Sequence, residues 1–177
     1  MNLKKQSMKY SSIVYNDTAN GNGQRVSIFV QGCTCHCIGC FNKETWDFNK
    51  GKEFTNKELD EIMVILKTYN KYYNGISILG GNPTDNLELC NLIIDTFRQE
   101  FQYTKDIWIW SGHTFEEIIK DKDKLSMISK CDVLVDGRFE LNKKDINLLF
   151  RGSSNQRIIL VSESLLKNKV IEYKGGD

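Results

Sequence analysis

Short runs of apolar, β-branched and aromatic residues recur along the chain and predict β-strands. The runs lie at residues 12–15, 26–30, 76–79, 107–110, 133–135, 158–161 and 170–173. Several are apolar at consecutive positions, a pattern typical of strands that are buried on both faces of a sheet. The strands should therefore lie inside the fold, with other elements covering them.

Amphipathic segments separate several of these runs and predict helices. The first begins with the capping-box sequence at 55–58 and keeps apolar residues at helical spacing to Tyr69. A second runs from about 86 to 101, and a third begins with another capping box at 114–117. Strands that alternate with helices predict the α/β class with parallel βα units.

The length of the chain limits the architecture. A complete eight-stranded (β/α) barrel needs about 250 residues, whereas this chain has 177. We therefore expect an incomplete barrel with a mostly parallel sheet and five or six βα units. We expect a single domain over 1–177, with a disordered tail at 173–177.

Glycine follows four of the predicted strands, at Gly32, at Gly80 and Gly81, at Gly112 and at Gly137. Glycine lets a backbone turn sharply or approach a ligand closely. In parallel βα folds the loops after the carboxyl ends of the strands build the active site. The four glycine turns therefore predict one shared site at that edge.

Composition and charge limit the expected cellular location and the expected binding partners. The first fifteen residues lack an apolar leader, and no stretch approaches the roughly 20 apolar residues of a membrane span. We therefore expect a cytoplasmic protein. The net charge of +1 gives no electrostatic case for binding nucleic acid or an anionic membrane. A protein or a small molecule is the expected partner.

Four of the six cysteines, Cys33, Cys35, Cys37 and Cys40, fall within eight residues directly after a predicted strand. In a reducing compartment such crowding indicates metal ligands, because a bound metal stabilises neighbouring thiolates. Zinc sites usually use two separated cysteine pairs, and no second pair is present. Zinc could still take Cys33, Cys37 and Cys40 together with either Cys35 or His36. An iron-sulfur cluster is larger, however, and accommodates such a tight loop better.

The remaining cysteines do not complete a metal site. Cys90 falls on the apolar stripe of a predicted helix and Cys131 precedes a strand, so both are expected in the core. A 4Fe-4S cluster normally takes one thiolate per iron. The spacing C-x-x-x-C-x-x-C would supply three, from Cys33, Cys37 and Cys40, and leave the fourth iron open. Cys35 is then a spare thiol.

This spacing resembles the signature of the radical S-adenosylmethionine (AdoMet) superfamily. Residues 37–46, CIGCFNKETW, resemble the run C-x-G-C-[YF]-N-x-x-T-W of the anaerobic (class III) ribonucleotide reductase-activating proteins. Further segments of that pattern occur at 20–25, 105–112, 135–139 and 151–156. The chain departs from it at Asn22, where proline is usual, and at Asn82, where an acid is usual.

The resemblance implies a barrel of the radical AdoMet type and a reductive cleavage of AdoMet at a 4Fe-4S cluster. The resulting 5'-deoxyadenosyl radical would abstract hydrogen from a glycine of anaerobic ribonucleoside-triphosphate reductase. The implied partners are the large subunit of that reductase and a reducing electron donor such as flavodoxin. The implied cluster ligands are Cys33, Cys37 and Cys40, and the implied AdoMet contacts are Gly39, Cys40, Phe41, Gly80, Gly81 and Asn82. No catalytic residue beyond the cluster and its ligands is implied.

Two other functions stay open at this point. The chain could activate a different glycyl-radical protein, or it could be a non-catalytic zinc or iron-sulfur module. His36 and His113 are expected as solvated loop histidines. Asp136, Arg138 and the segment 151–156 match the resembled pattern without a derived role, and they could bind AdoMet or contact the reductase.

Asn82 provides a first test. Its amide oxygen can accept a hydrogen bond from the AdoMet amino group but carries no negative charge, so we expect AdoMet to bind with reduced affinity. Asn82→Asp should therefore tighten AdoMet binding, measured by equilibrium titration. An unchanged or weaker affinity in this variant would contradict the role assigned to the charge.

Overall fold

The strands form one seven-stranded sheet in the computed structural model of the chain, which describes residues 8–175. The strands are β1 (Lys9–Asp17), β2 (Gln24–Val30), β3 (Lys52–Glu53), β4 (Tyr73–Gly80), β5 (Asp106–Ser111), β6 (Val133–Asp136) and β7 (Arg157–Leu160). Their order in the sheet is β3-β1-β2-β4-β5-β6-β7. The four strands β2, β4, β5 and β6 are parallel. Strand β1 pairs antiparallel with β2, β3 antiparallel with β1, and β7 antiparallel with β6.

Helices connect the parallel strands, and a further helix follows β7. They are α1 (Asn56–Thr68), α2 (Leu87–Phe101), α3 (Phe115–Ile118), α4 (Lys122–Ile128) and α5 (Val161–Lys167). Both predicted capping boxes form, at Thr55 with Glu58 and at Thr114 with Glu117. The apolar stripe of α1 is buried, and six residues of α2 are buried in the same way. Burial of these stripes holds the helices against the sheet.

The predicted α/β class with a parallel sheet centre is confirmed, but the number of units is smaller than expected. Three helical crossovers join parallel strands, rather than five or six βα units. The cause is the content of the connections, not their length. The chain between β6 and β7 holds only a short 3-10 turn, Leu141–Lys143, so β7 returns antiparallel.

Two short elements also differ from the prediction. The run 170–173 contributes one isolated bridge, between Ile159 and Glu172, instead of a strand. Strand β3 was not predicted because its two residues are exposed and charged. In both cases pairing with a neighbour, rather than an apolar pattern, decides the structure.

Tyr173, which was expected in the disordered tail, packs against the fold. Tyr173 donates its backbone N–H to the carbonyl of Ile158 at 2.8 Å, and its ring centroid lies 5.2 Å from that of Trp108. An aromatic side chain that can pack on another ring is held by that contact. Residues 176 and 177 lie outside the described residues.

The core lies between the sheet and its helices. Cys90 and Cys131 belong to it, with 0% and 3% of their surface exposed, as their positions in the sequence predicted. Within residues 8–175, no helix has both the length and the apolar character needed to cross a membrane.

A buried arginine links three parallel strands. Arg25, at 0% exposure, donates to the Ser77 hydroxyl at 2.7 Å and to the Ile76 carbonyl at 2.7 Å. It also forms an ion pair with Asp106 at 2.6 Å and lies over the Trp108 ring, 5.5 Å from its centroid. Because a buried guanidinium requires such partners, this contact fixes β2, β4 and β5 side by side.

Replacing this arginine should destabilise the fold. Arg25→Met should lower the free energy of unfolding by about 3 kcal/mol, because it removes the buried donor to the Ser77 hydroxyl and the Ile76 carbonyl. Urea unfolding followed by far-UV circular dichroism measures the change. The matched control is Lys67→Met, which removes the exposed ion pair with Glu100, and it should cost less than about 1 kcal/mol. Equal losses would contradict this account.

Candidate metal centre

The cysteine loop follows β2 and opens into a cavity at the carboxyl edge of the parallel strands. The cavity is lined by Cys33, Cys35, Cys37 and Cys40, by Gly80, Gly81 and Asn82 from β4 and its loop, by Ser111 and Gly112 from β5 and its loop, and by Gly137 after β6. It holds about 780 Å³ of empty space, including the open solvent at its mouth. The predicted shared edge therefore exists.

Two glycines bring the cysteine loop against the loop after β4. Gly32 has φ +108°, and a Cβ at Gly81 would lie 2.4 Å from the Gly32 carbonyl oxygen. The backbone N–H of Asn82 donates to that same oxygen at 2.8 Å, and the Asn86 amide donates to it at 2.9 Å. A side chain at position 81 would separate the two loops, so glycine is required for this contact.

The other end of the cysteine loop is tied back to its start. Gly32 N–H donates to the Thr45 carbonyl at 2.7 Å, and Cys33 N–H donates to the Trp46 carbonyl at 3.1 Å. The buried Gln31 amide donates to the carbonyls of Glu44 and Asp47. These bonds close the loop over the eight residues that hold the four thiols.

The four thiols are all free and half-buried. The sulfurs of Cys33 and Cys35 and a carboxylate oxygen of Asp85 lie within 4.8 Å of one another. Backbone N–H groups point at two sulfurs, from Cys35 to Cys33 at 3.4 Å and from Asn42 to Cys40 at 3.4 Å. Hydrogen bonds of this kind favour the thiolate, the form that binds metals.

The pKa values of these thiols are shifted in different directions. The hydrogen bond from the Cys35 thiol lowers the pKa of Cys33 to about 6, and the same bond raises the pKa of Cys35. Burial raises the pKa of Cys37. The soft sulfur donors, their N–H partners and the open cavity fit an iron-sulfur cluster. The ligand set Cys33, Cys37 and Cys40 stays a prediction, since the two sulfurs that the structure places within 4.8 Å of each other are those of Cys33 and Cys35.

Asn82 is 1% exposed and lies in a polar network beneath the cavity wall. Its amide oxygen accepts from the Thr84 hydroxyl at 3.0 Å and faces the Gly112 N–H at 3.4 Å. Because a backbone N–H can only donate, the amide nitrogen must point the other way, 3.7 Å from the Cys35 sulfur. The side chain therefore presents N–H to the cysteine loop.

His113 belongs to the same network, so its expected position in solvent was wrong. Its Nδ1 lies 2.9 Å from the Thr84 hydroxyl and 3.4 Å from the Asn82 amide nitrogen, and its side chain is only 16% exposed. Burial and the nearby Lys124 ammonium lower the pKa of His113. The neighbouring strand ends enclose this ring, which a sequence pattern does not show. His36, in contrast, is exposed and stacks on Trp46 with centroids 4.7 Å apart.

Of the predicted AdoMet contacts Phe41 and Gly39, only the first lines the cavity. Phe41 lines the cavity, is 61% exposed and packs edge-on against Phe139. Gly39 is not among the lining residues, and a Cβ there would lie 2.8 Å from the Leu141 side chain. Its positive φ of +77° turns the chain between Cys37 and Cys40.

The segment 151–156 builds one wall of the cavity, a role that the sequence did not disclose. Gly152 packs between the Phe41 and Phe139 rings, and both Gly152 and Gln156 line the cavity. The Gln156 side chain accepts from Gly152 N–H at 2.9 Å and donates to the Gly137 carbonyl at 3.0 Å. The sequence pointed to this segment only through its match to the pattern of the resembled family, which did not say what the segment does.

Asp136 and Arg157 form the support behind that wall. The Asp136 carboxylate is 1% exposed, accepts the Phe115 N–H at 2.6 Å and pairs with the Arg157 guanidinium. Arg157 also pairs with Glu116 at 2.7 Å. Asp136 thus fixes the start of α3 to β6 and β7 instead of entering the cavity.

Comparison with known proteins agrees with this site. A family described as a 4Fe-4S single cluster domain matches residues 19–159. The chain is 37% identical to the anaerobic ribonucleoside-triphosphate reductase-activating protein of Pasteurella multocida, over 85% of this chain and 96% of that protein. The proteins of the same name from Escherichia coli K12 (36%, 84% of this chain, 96% of that protein) and Enterobacteria phage T4 (37%, 85% and 93%) are similar.

A solved structure is similar over part of the chain. The crystal structure of QueE from Escherichia coli matches with a TM-score of 0.41 and 17% identity, over 61% of this chain and 54% of that chain. This partial similarity adds nothing to the assignment, which depends on the full-length relatives. With identity above one third over more than four fifths of the chain, this protein belongs to the family of anaerobic ribonucleoside-triphosphate reductase-activating proteins.

Proposed function

We propose that this protein generates the glycyl radical of an anaerobic ribonucleoside-triphosphate reductase, using a 4Fe-4S cluster and AdoMet. The observation that carries the proposal is the convergence of four free thiols and the glycine-rich end of β4 on one cavity. When bound, the reduced cluster supplies the electron that cleaves AdoMet. The names of the relatives support the choice of the reductase as the partner.

Different residues of the chain bind the cluster and AdoMet. Cys33, Cys37 and Cys40 hold the cluster through three sulfurs, and their number leaves one iron for AdoMet. Gly80 and Gly81 line the cavity, so their backbone faces the space for the AdoMet amino group.

The walls of the cavity orient the adenine and limit side reactions. Phe41 offers a flat apolar surface, and its contact with Phe139 holds the ring at the edge of the site. Gly152 packs against both rings, since a Cβ there would lie 3.1 Å from Phe139 and 3.2 Å from Phe41. Exclusion of solvent from this space protects a reactive radical until the glycine of the partner enters.

The reaction also requires an electron donor and a reducing environment. The electron comes from a reducing donor such as flavodoxin, and a reducing cytoplasm keeps the four thiols available for the cluster. The partner surface is a segment of the large subunit of the reductase that carries the glycine.

Anaerobic reconstitution tests the proposed function. The protein, loaded with iron and sulfide, is reduced and mixed with AdoMet and the candidate reductase. The expected products are 5'-deoxyadenosine and a glycyl-radical doublet in the electron paramagnetic resonance spectrum of the reductase. Tight stoichiometric zinc without AdoMet cleavage would contradict the proposal, and AdoMet cleavage without a radical on this reductase would indicate a different glycyl-radical partner.

Alanine variants test the three ligands. Cys33→Ala, Cys37→Ala and Cys40→Ala should each abolish formation of 5'-deoxyadenosine, because each removes the thiolate of one iron. Cys131→Ala is the matched control, since that thiol lies in the core away from the cavity. Chromatographic measurement of 5'-deoxyadenosine decides the result. Full cleavage in any one of the three variants would remove that cysteine from the ligand set.

A further inference from the structure

Cys35 lies outside the three-ligand spacing, yet its sulfur lies in the same cavity as the three ligands. The thiol is free and half-buried, and its sulfur is within 4.8 Å of the Cys33 sulfur. A spare thiol in a loop could point to solvent, whereas this one faces the wall formed by the ends of β4 and β5. Its position therefore needs an explanation.

Two residues of that wall make room for the sulfur. A Cβ at Gly112 would lie 2.5 Å from the Cys35 sulfur, so a larger residue could not be present without displacing it. The Asn82 amide nitrogen is 3.7 Å from the same sulfur and presents an N–H to it. A carboxylate at position 82 would offer no donor and would repel a thiolate. The wall therefore holds the Cys35 sulfur inside the cavity.

The same wall is the proposed site of the AdoMet amino group. Gly80, Gly81 and Asn82 line it, directly beside Cys35. The cysteines at 33, 37 and 40 leave one iron without a protein ligand. A fourth sulfur in this position and the AdoMet amino group therefore compete for one coordination position.

We propose that Cys35 is an exchangeable fourth ligand of the cluster, bound to iron when AdoMet is absent and displaced when AdoMet binds. The inference depends on the proposed function for its cofactors. On binding iron, the Cys35 thiol releases its proton to solvent. On displacement the thiolate takes up a proton again, so the exchange consumes no oxidant or reductant. Asn82 positions the sulfur through its N–H.

The first test compares reconstituted wild type with Cys35→Ala in the absence of the reductase. In wild type without AdoMet, the Mössbauer spectrum should show no distinct iron site, and AdoMet should create one. In Cys35→Ala the distinct site should be present before AdoMet is added. Iron and sulfide analysis establishes that both proteins are fully loaded.

AdoMet affinity gives a second readout. If the sulfur occupies the fourth iron in about nine of ten molecules, its removal should tighten the apparent Kd for AdoMet about tenfold. Cys131→Ala controls for the loss of a thiol and should leave the Kd at the wild-type value. Identical spectra and equal Kd values for wild type and Cys35→Ala would overturn the inference while leaving the proposed function intact. Failure of both fully loaded proteins to bind AdoMet would overturn both.

A double-mutant cycle tests the part assigned to Asn82. Asn82→Asp removes the N–H donor to the sulfur, so it should tighten AdoMet binding more in the wild-type background than in Cys35→Ala. Equal effects of Asn82→Asp in the two backgrounds would show that residue 82 acts on AdoMet independently of Cys35.

Discussion

The site depends on the contact between the backbone at Gly32 and the backbone at Gly81. Here the loops that follow two neighbouring parallel strands meet without an intervening side chain, and the Gly32 carbonyl accepts hydrogen bonds from the Asn82 backbone and the Asn86 side chain. This contact places the cysteine loop beside the end of β4. A Cβ at Gly81 would lie too close to that carbonyl, and the thiols would then move away from the wall that completes the cavity.

Parallel pairing makes that contact possible. Strands β2, β4, β5 and β6 all end at the same edge, so the loops after them converge there. Arg25 holds three of these strands together from within the sheet, through Ser77, Ile76 and Asp106. The outer wall is built differently, because the segment 151–156 reaches the cavity through hydrogen bonds to the Gly137 loop. The frame of the site is therefore the sheet, and its outer wall is a loop.

Much of this could be predicted because the decisive patterns are local. Consecutive apolar residues and capping boxes identified the central strands and the starts of α1 and α3. The number of βα units was overestimated because strand direction depends on what fills each connection. The setting of His113 was missed for a related reason: its neighbours Thr84 and Asn82 come from a loop about thirty residues earlier in the chain.

The sequence by itself determined the chemistry of this protein. Cysteine spacing sets how many thiols one loop can offer to a metal cluster, and that number follows from covalent order alone. Only the tertiary structure decided what surrounds the thiols: the direction of the Asn82 amide, the burial of Cys35 against Gly112, and the wall that Gly152 and Gln156 add. The physical reason is that hydrogen-bond geometry and close packing join residues far apart in the chain, and they exist only once the strands have paired.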